Sequence, residues 1–264
     1  MTPSWWEGLL LGLVQGLTEF LPVSSSGHLV LAESLLSFSA PGVLFEVVLH
    51  LATLLAVLIA YRGRLVRLGR GVFTGEWESW RYAGLLLLGS LPAAVAGLGF
   101  RDFFEARFET GLWLGVFFLL TTAILWTTRF ALPRAAGTRI GAGAALFIGL
   151  AQALAILPAV SRSGTTIAAA LWAGIAPGPA AEFSFLLSIV AIAGAGFVQL
   201  LDRPVGVDLA APGVLIGFAV AVASGVWAIR FLVRLLARGR FHQFAWYTAA
   251  IGTFTILWAL LAGS

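Results

Sequence analysis

The sequence predicts an all-α, polytopic membrane protein made of two inverted-topology repeats, and three observations lead there. First, 60% of the 264 residues are apolar and 11% are charged. With a mean hydropathy of +0.98, that composition suits a chain embedded in lipid rather than a soluble core. Second, the segment QGLTEFLPVSSSGH from Gln15 to His28 returns 137 residues later as QALAILPAVSRSGT, from Gln152 to Thr165. Between Gly12–Gly27 and Gly149–Gly164, eight of sixteen aligned positions are identical. Pro41, Gly42 and Glu46 likewise reappear as Pro177, Gly178 and Glu182. Third, six further stretches are apolar and about as long as the roughly 20 residues a helix needs to cross a bilayer.

Taken in chain order, the first repeat segment is apolar but broken by Pro, Ser and Gly between Pro22 and Gly27. Its arms are too short to span, so it reads as a re-entrant helix-loop-helix hairpin. Non-helical backbone at membrane depth must face protein or water, which turns this break inward. Spanning helices follow at about 43–61, 81–100 and 111–130, with the arginine-rich stretch 62–81 read as a loop. The second hairpin is broken between Pro158 and Gly164, and three spans follow at about 180–201, 211–235 and 244–262. The chain is one integral membrane domain, 1–264, with repeats of about 1–132 and 133–264.

Three spans and one hairpin per half place the second half upside down relative to the first. The cations test this layout. All sixteen are Arg, and the twelve between Arg62 and Arg81, Arg129 and Arg139, and Arg230 and Arg240 fall on one side. Arg101, Arg107 and Arg203 fall on the other, and Arg162 lies in the second hairpin. The positive-inside rule makes the crowded side cytoplasmic. Both termini are then extracytoplasmic, and the two hairpins enter from opposite faces so that their tips meet near the midplane. The absence of cysteine excludes disulfides and thiolate chemistry, and no cleavable signal follows Met1. Trp5, Trp6, Trp77, Trp80, Trp113, Trp126, Trp246 and Trp258 near helix ends suit an interfacial belt in contact with membrane lipids. Nothing points to nucleic acid.

The groups gathered at the two tips are chemically specific. Gln15 and Glu19 share one helical face at i and i+4. The first break adds Ser24, Ser25, Ser26, Gly27 and His28, and the second adds Ser161, Arg162, Ser163, Gly164 and Thr165. Ser24 and Ser161 are read first as N-caps. Two helix starts facing each other also make a site for an anion such as phosphate, and Arg162 adds a planar fork suited to phosphate oxygens. Intramembrane ionisable residues default to function, which singles out Glu19, His28 and Arg162. Glu46 and Glu182 are read equally as support or chemistry, and His50 and His242 as structural or solvated.

QGLTEFLPVSSSGH followed by PAVSRSGTTI resembles the bacterial undecaprenyl-pyrophosphate phosphatase family over essentially the whole chain. Gln15 and Glu19 stand at its E/Q-x-x-x-E motif, Gly27 and His28 end its serine-rich turn, and Pro158 to Thr166 match its P-G-x-S-R-S-G-x-T motif. Gln replaces Glu at position 15, Ala159 replaces the usual Gly, and Thr165 stands where Ala is common.

The resemblance implies hydrolysis of undecaprenyl pyrophosphate to the monophosphate and inorganic phosphate, which recycles the carrier of peptidoglycan synthesis in the cytoplasmic (inner) membrane and bears on bacitracin resistance. It also implies a divalent cation, Mg²⁺ or Ca²⁺, held by Glu19. On this reading Glu19, His28, Ser25 and Arg162 are catalytic. Gln15, Ser24, Ser26, Gly27, Ser161, Ser163, Gly164 and Thr165 bind substrate, and the site opens to the outer face. His28, Ser25 and water all stand as candidate nucleophiles, and the assembly is open between monomer and homodimer. The alternative is an inverted-repeat transporter or lipid-carrier flippase, which would need binding groups but no nucleophile.

Overall fold

The protein is described from a computed structural model, covering residues 3–36, 43–99, 111–202 and 208–262. Arg101, Arg107 and Arg203 lie outside these, so their side of the arginine count is not described. The described residues form eleven α-helices and no strand: α1 Trp5–Phe20, α2 Ser25–Leu36, α3 Val43–Ala60, α4 Arg62–Phe73, α5 Trp77–Gly99, α6 Gly111–Ala131, α7 Ala142–Leu154, α8 Arg162–Trp172, α9 Pro177–Asp202, α10 Pro212–Ala237 and α11 Phe244–Ala262. The helices α5, α6, α9, α10 and α11 are long and apolar enough to cross a membrane, and α3 with α4 makes a sixth candidate. All six expected spans are therefore helical.

The stretch expected to be a loop after residue 62 differs. It forms α4, which turns 77° from α3. Arg62, Arg64, Arg67 and Arg70 recur at helical spacing around Leu65, Val66 and Leu68, so the segment is amphipathic and holds a helix across the end of the bundle rather than through it.

Helix pairing crosses between the halves. α1 packs along α10, and α7 along α5. α3 crosses α10 while α9 crosses α5, and α6 packs on α11. Small residues make these contacts close. A Cβ on Gly8 would lie 1.9 Å from the carbonyl oxygen of Gly213, and one on Gly12 would lie 2.3 Å from that of Gly217. A Cβ on Gly149 would lie 2.5 Å from the carbonyl oxygen of Gly89. With no hydrophobic drive between helices in lipid, such backbone approach is what dispersion and packing require.

Bulky side chains fill the interior instead. Phe20, Phe183, Phe185, Leu187 and Phe241 are fully buried in the largest core cluster, and Phe118 sits in a smaller one beside Ala159. Trp5, Trp77 and Trp246 stand outward near helix ends at 62%, 74% and 68% exposure, as expected of residues at a lipid–water boundary.

Candidate active site

Both breaks arise from local chemistry. Pro22 disfavours helical geometry at Leu21, which caps α1 in an extended conformation with φ −65° and ψ 145°. Ser24 then takes φ 70°, the hydroxyl of Ser24 accepts from Gly27 N–H at 3.4 Å, and α2 begins. In the second break, Val160 N–H donates to Leu157 O at 3.1 Å across Pro158 and Ala159. Proline followed by a residue at φ 60° is the arrangement of a type II turn, whose third position favours glycine. Ser161 caps α8 and accepts from Gly164 N–H at 3.1 Å. Thr121 of α6 holds this turn from the side: its hydroxyl donates to Ala159 O at 3.0 Å and accepts from Ser161 N–H at 3.1 Å.

The two breaks touch. A Cβ on Gly27 would lie 2.9 Å from Cβ of Ala159, and one on Gly164 would lie 3.3 Å from Cβ of Pro22. These contacts are reciprocal, because Gly164 and Ala159 stand 137 positions after Gly27 and Pro22. The Ser163 hydroxyl adds a bond across the seam to Leu21 O at 3.2 Å.

One carboxylate organises the polar groups between the breaks. Glu19, at the end of α1, accepts a charged hydrogen bond from the guanidinium of Arg162 at the start of α8. Its second oxygen accepts from the Ser25 hydroxyl and from Gln15 Nε2 at 3.2 Å. The Glu19 and Arg162 side chains are only 8% and 15% exposed. Arg162 Nη1 and Gln15 Oε1 are buried with no hydrogen-bond partner.

A cavity of about 260 Å³ opens beside the pair, lined by Glu19, Arg162 and His50 and walled by α3 and α9. His50, read from sequence as structural or solvated, is a site neighbour: Nε2 stands 3.9 Å from Glu19 Oε2, and Nδ1 lies 2.8 Å from Glu46 O. The i, i+4 spacing of Glu46 and His50 was the available signal.

His28 shares the first turn of α2 with Ser25 but holds other partners. Its Nδ1 lies 2.7 Å from Ser24 O, which makes that nitrogen the protonated one, and Nε2 then accepts from the Tyr247 hydroxyl at 2.7 Å. Tyr247 also stacks on the imidazole, and Phe118 meets its edge. No sequence signal linked Tyr247 to His28 across 219 residues.

Of the remaining expected binders, Ser24, Gly27, Ser161, Ser163, Gly164 and Thr165 are buried, and Ser26 is exposed. Ser161 and Ser163 lie 3.3 Å apart, and Thr165 donates to Arg162 O at 3.0 Å. Their polar groups brace the break, while Glu19, Ser25, Arg162 and Gln15 form the assembled cluster.

Known proteins match nearly the whole chain. The sequence profile of the family described as Bacitracin resistance protein BacA matches residues 8–254. An undecaprenyl-diphosphatase of Carboxydothermus hydrogenoformans is 42% identical over 265 residues, covering 98% of each chain. One of Desulfosudis oleivorans is 42% identical, covering 95% of this chain and 97% of its own. Another, from Bacteroides fragilis, is 38% identical over 96% and 97%.

Proposed function

The chain belongs to the Bacitracin resistance protein BacA family, and from that premise we propose that it hydrolyses undecaprenyl diphosphate to the monophosphate and inorganic phosphate. The observation that carries this reading is the buried Glu19–Arg162 pair bridging the two breaks, with Ser25 on the same carboxylate and one guanidinium nitrogen left without a partner. Phosphoryl transfer needs charge neutralisation and alignment above all. Arg162 Nη1 meets a phosphate oxygen that no protein group replaces. The Ser25 hydroxyl, already donating to Glu19, attacks the terminal phosphorus. Glu19 takes the proton, undecaprenyl phosphate leaves, and water then releases phosphate from the serine. His28, with Nε2 on Tyr247, serves proton transfer at the same helix start. A carrier would not require a serine held against a carboxylate, which favours hydrolysis over transport.

A divalent cation fits the donors present. Gln15 Oε1 is a buried oxygen without a partner beside Glu19. Among the described residues no three His, Cys, Asp or Glu form a cluster, so an ion here would depend on substrate phosphate oxygens for further ligands, as Mg²⁺ sites often do. Glu19 and Gln15 would hold the ion, which neutralises phosphate charge when bound.

Matching helix contacts in the two halves and the reciprocal contacts of the breaks support two inverted repeats with paired hairpins. In the bacterial inner membrane the arginine-rich end then faces the cytoplasm, and the Glu19 cavity opens outward, on the side of both termini. Phosphate release from undecaprenyl diphosphate by the purified protein, with and without Mg²⁺ or Ca²⁺, tests the reading. Release that depends on cation, Glu19 and Arg162 is expected; none under any condition would overturn it.

A further inference from the structure

α3 and α9 lie side by side, and a cavity opens at each end of their seam. The one already described adjoins Val47, Leu51 and Ala191. The other, about 860 Å³, adjoins Tyr61 at the end of α3 and Glu182 near the start of α9. Glu182 and Ala191 are about 13 Å apart along their helix at 1.5 Å per residue, so the two spaces are separate. No part of the hydrolysis above uses the second one.

Its walls are strongly cationic. Arg64, Arg67, Arg70, Arg81 and Arg139 line it against Glu76, Glu78 and Glu182. Arg64 pairs with Glu182 at 2.8 Å and lies over the Tyr82 ring at 4.8 Å. Arg81 is held by Glu78 at 3.3 Å and by Ile140 O at 2.8 Å. The side chains of Arg67, Arg70 and Arg139 have no protein partner among the described residues, and all three are exposed. The paired arginines fix a rigid cationic floor, and the unpaired ones ring the mouth.

The position of α4 indicates where this mouth lies. The helix runs across the bundle end at 77° to α3, and Val66, Phe73 and Trp77 point outward at 52%, 94% and 74% exposure. A helix that lies across the bundle end and exposes arginines together with apolar side chains, with Trp77 at the start of α5 beside it, sits at the headgroup level of a bilayer. Its arginines therefore meet the layer where lipid phosphates are concentrated.

We propose that this arginine-lined cavity is a second anion site, which binds a phosphate group carried by an anionic lipid headgroup or free in solution. Arginine is suited to it because the guanidinium fork contacts two phosphate oxygens at once.

Native mass spectrometry of the full-length protein in detergent tests this with phosphatidic acid as probe. The variant Arg67→Gln/Arg70→Gln/Arg139→Gln removes the mouth, and Arg230→Gln/Arg238→Gln/Arg240→Gln removes as much charge from exposed arginines that do not line the cavity. About tenfold weaker lipid retention is expected in the first variant alone, given the attraction each basic residue exerts on anionic headgroups. Inorganic phosphate that displaces the lipid identifies the bare anion as a ligand, and failure to displace it assigns the site to lipid-borne phosphate. Equal retention in both variants, or equal loss in both, would overturn the proposal. Melting temperatures matching the unsubstituted protein exclude misfolding as the cause.

Discussion

The two breaks share one sequence frame and opposite chemistries. Each places a serine at the start of a helix, and each lays a glycine against the other's turn: Gly27 on Ala159 and Gly164 on Pro22. The polar groups proposed to react do not follow this symmetry. Glu19 corresponds to Ile156, Ser25 to Arg162 and His28 to Thr165. α1 stays helical through Glu19, whereas α7 ends at Leu154, before the corresponding position. A symmetric scaffold brings the tips together, and an asymmetric set of side chains gives one tip the carboxylate and hydroxyl and the other the cation. A homogeneous pair would set like against like, and neither two carboxylates nor two guanidiniums could neutralise each other where both are buried.

Making the breaks alike should have the largest effect. Arg162→Ser gives the second break the residue of the first, and the expected result is at least about a 100-fold fall in phosphate release, the loss typical of removing a charge-stabilising donor. Arg162→Lys keeps the charge but not the fork and should lose most activity; turnover within a few-fold of the parent would refute a guanidinium that holds Glu19 with one nitrogen and phosphate with the other. Glu19→Gln should strip activity and also lower stability by about 3–5 kcal/mol, because it leaves a buried guanidinium without its counter-ion; thermal melting reads the second effect.

The next test separates two residues of the first break. Rapid-quench trapping with labelled substrate should yield an acid-stable phosphoserine that vanishes in Ser25→Ala. His28→Ala should slow turnover by about 100-fold through loss of proton transfer while still allowing the adduct. An acid-labile adduct that depends on His28 would transfer the nucleophile's role to the imidazole.

Smaller effects sharpen the steric comparison. Gly27→Ala sets a methyl 2.5 Å from Phe118 Cζ as well as against Ala159, and should cost about 1–3 kcal/mol of stability as overpacking does. Gly164→Ala meets Ser161 at 3.1 Å and Pro22 at 3.3 Å, and should cost less. If the order of the two melting temperatures reversed, the first seam would not be the tighter one. Ala159→Gly comes last: it relieves a left-handed alanine worth about 1–2 kcal/mol, partly offset by the freer unfolded chain. A rise of a few degrees in melting temperature is expected, with activity unchanged.

The spans were legible because apolar length is a property of one segment at a time, and the breaks were legible because proline and serine act on their immediate neighbours. α4 was not. Four arginines in nine residues lower its hydropathy to that of a loop, and only the bundle end it covers makes the helix worthwhile. Glu19 and Arg162 could be picked out as costly charges in an apolar run, and the repeat suggested that they meet. The bonds from Ser25 and Gln15 to the same carboxylate depend on how far α1 continues past Leu17, which composition does not specify. His50 and Tyr247 were harder to read for a different reason: the spacing of Glu46 and His50 marks only a shared face of α3, and the relevance of His50 and of Tyr247 comes from a partner on another helix.

The seam of glycines between α1 and α10 has a consequence for biosynthesis. Gly8 closes onto Gly213, so α1, which otherwise meets only α2 and α3 more lightly, lacks its main packing partner until some 200 further residues have been made, a delay of about 10–40 s at ordinary elongation rates. α7, by contrast, finds α5 already inserted. α1 must therefore wait, half-exposed to lipid or held by the insertion machinery, and the Glu19 carboxylate can meet the Arg162 guanidinium only when the second half arrives.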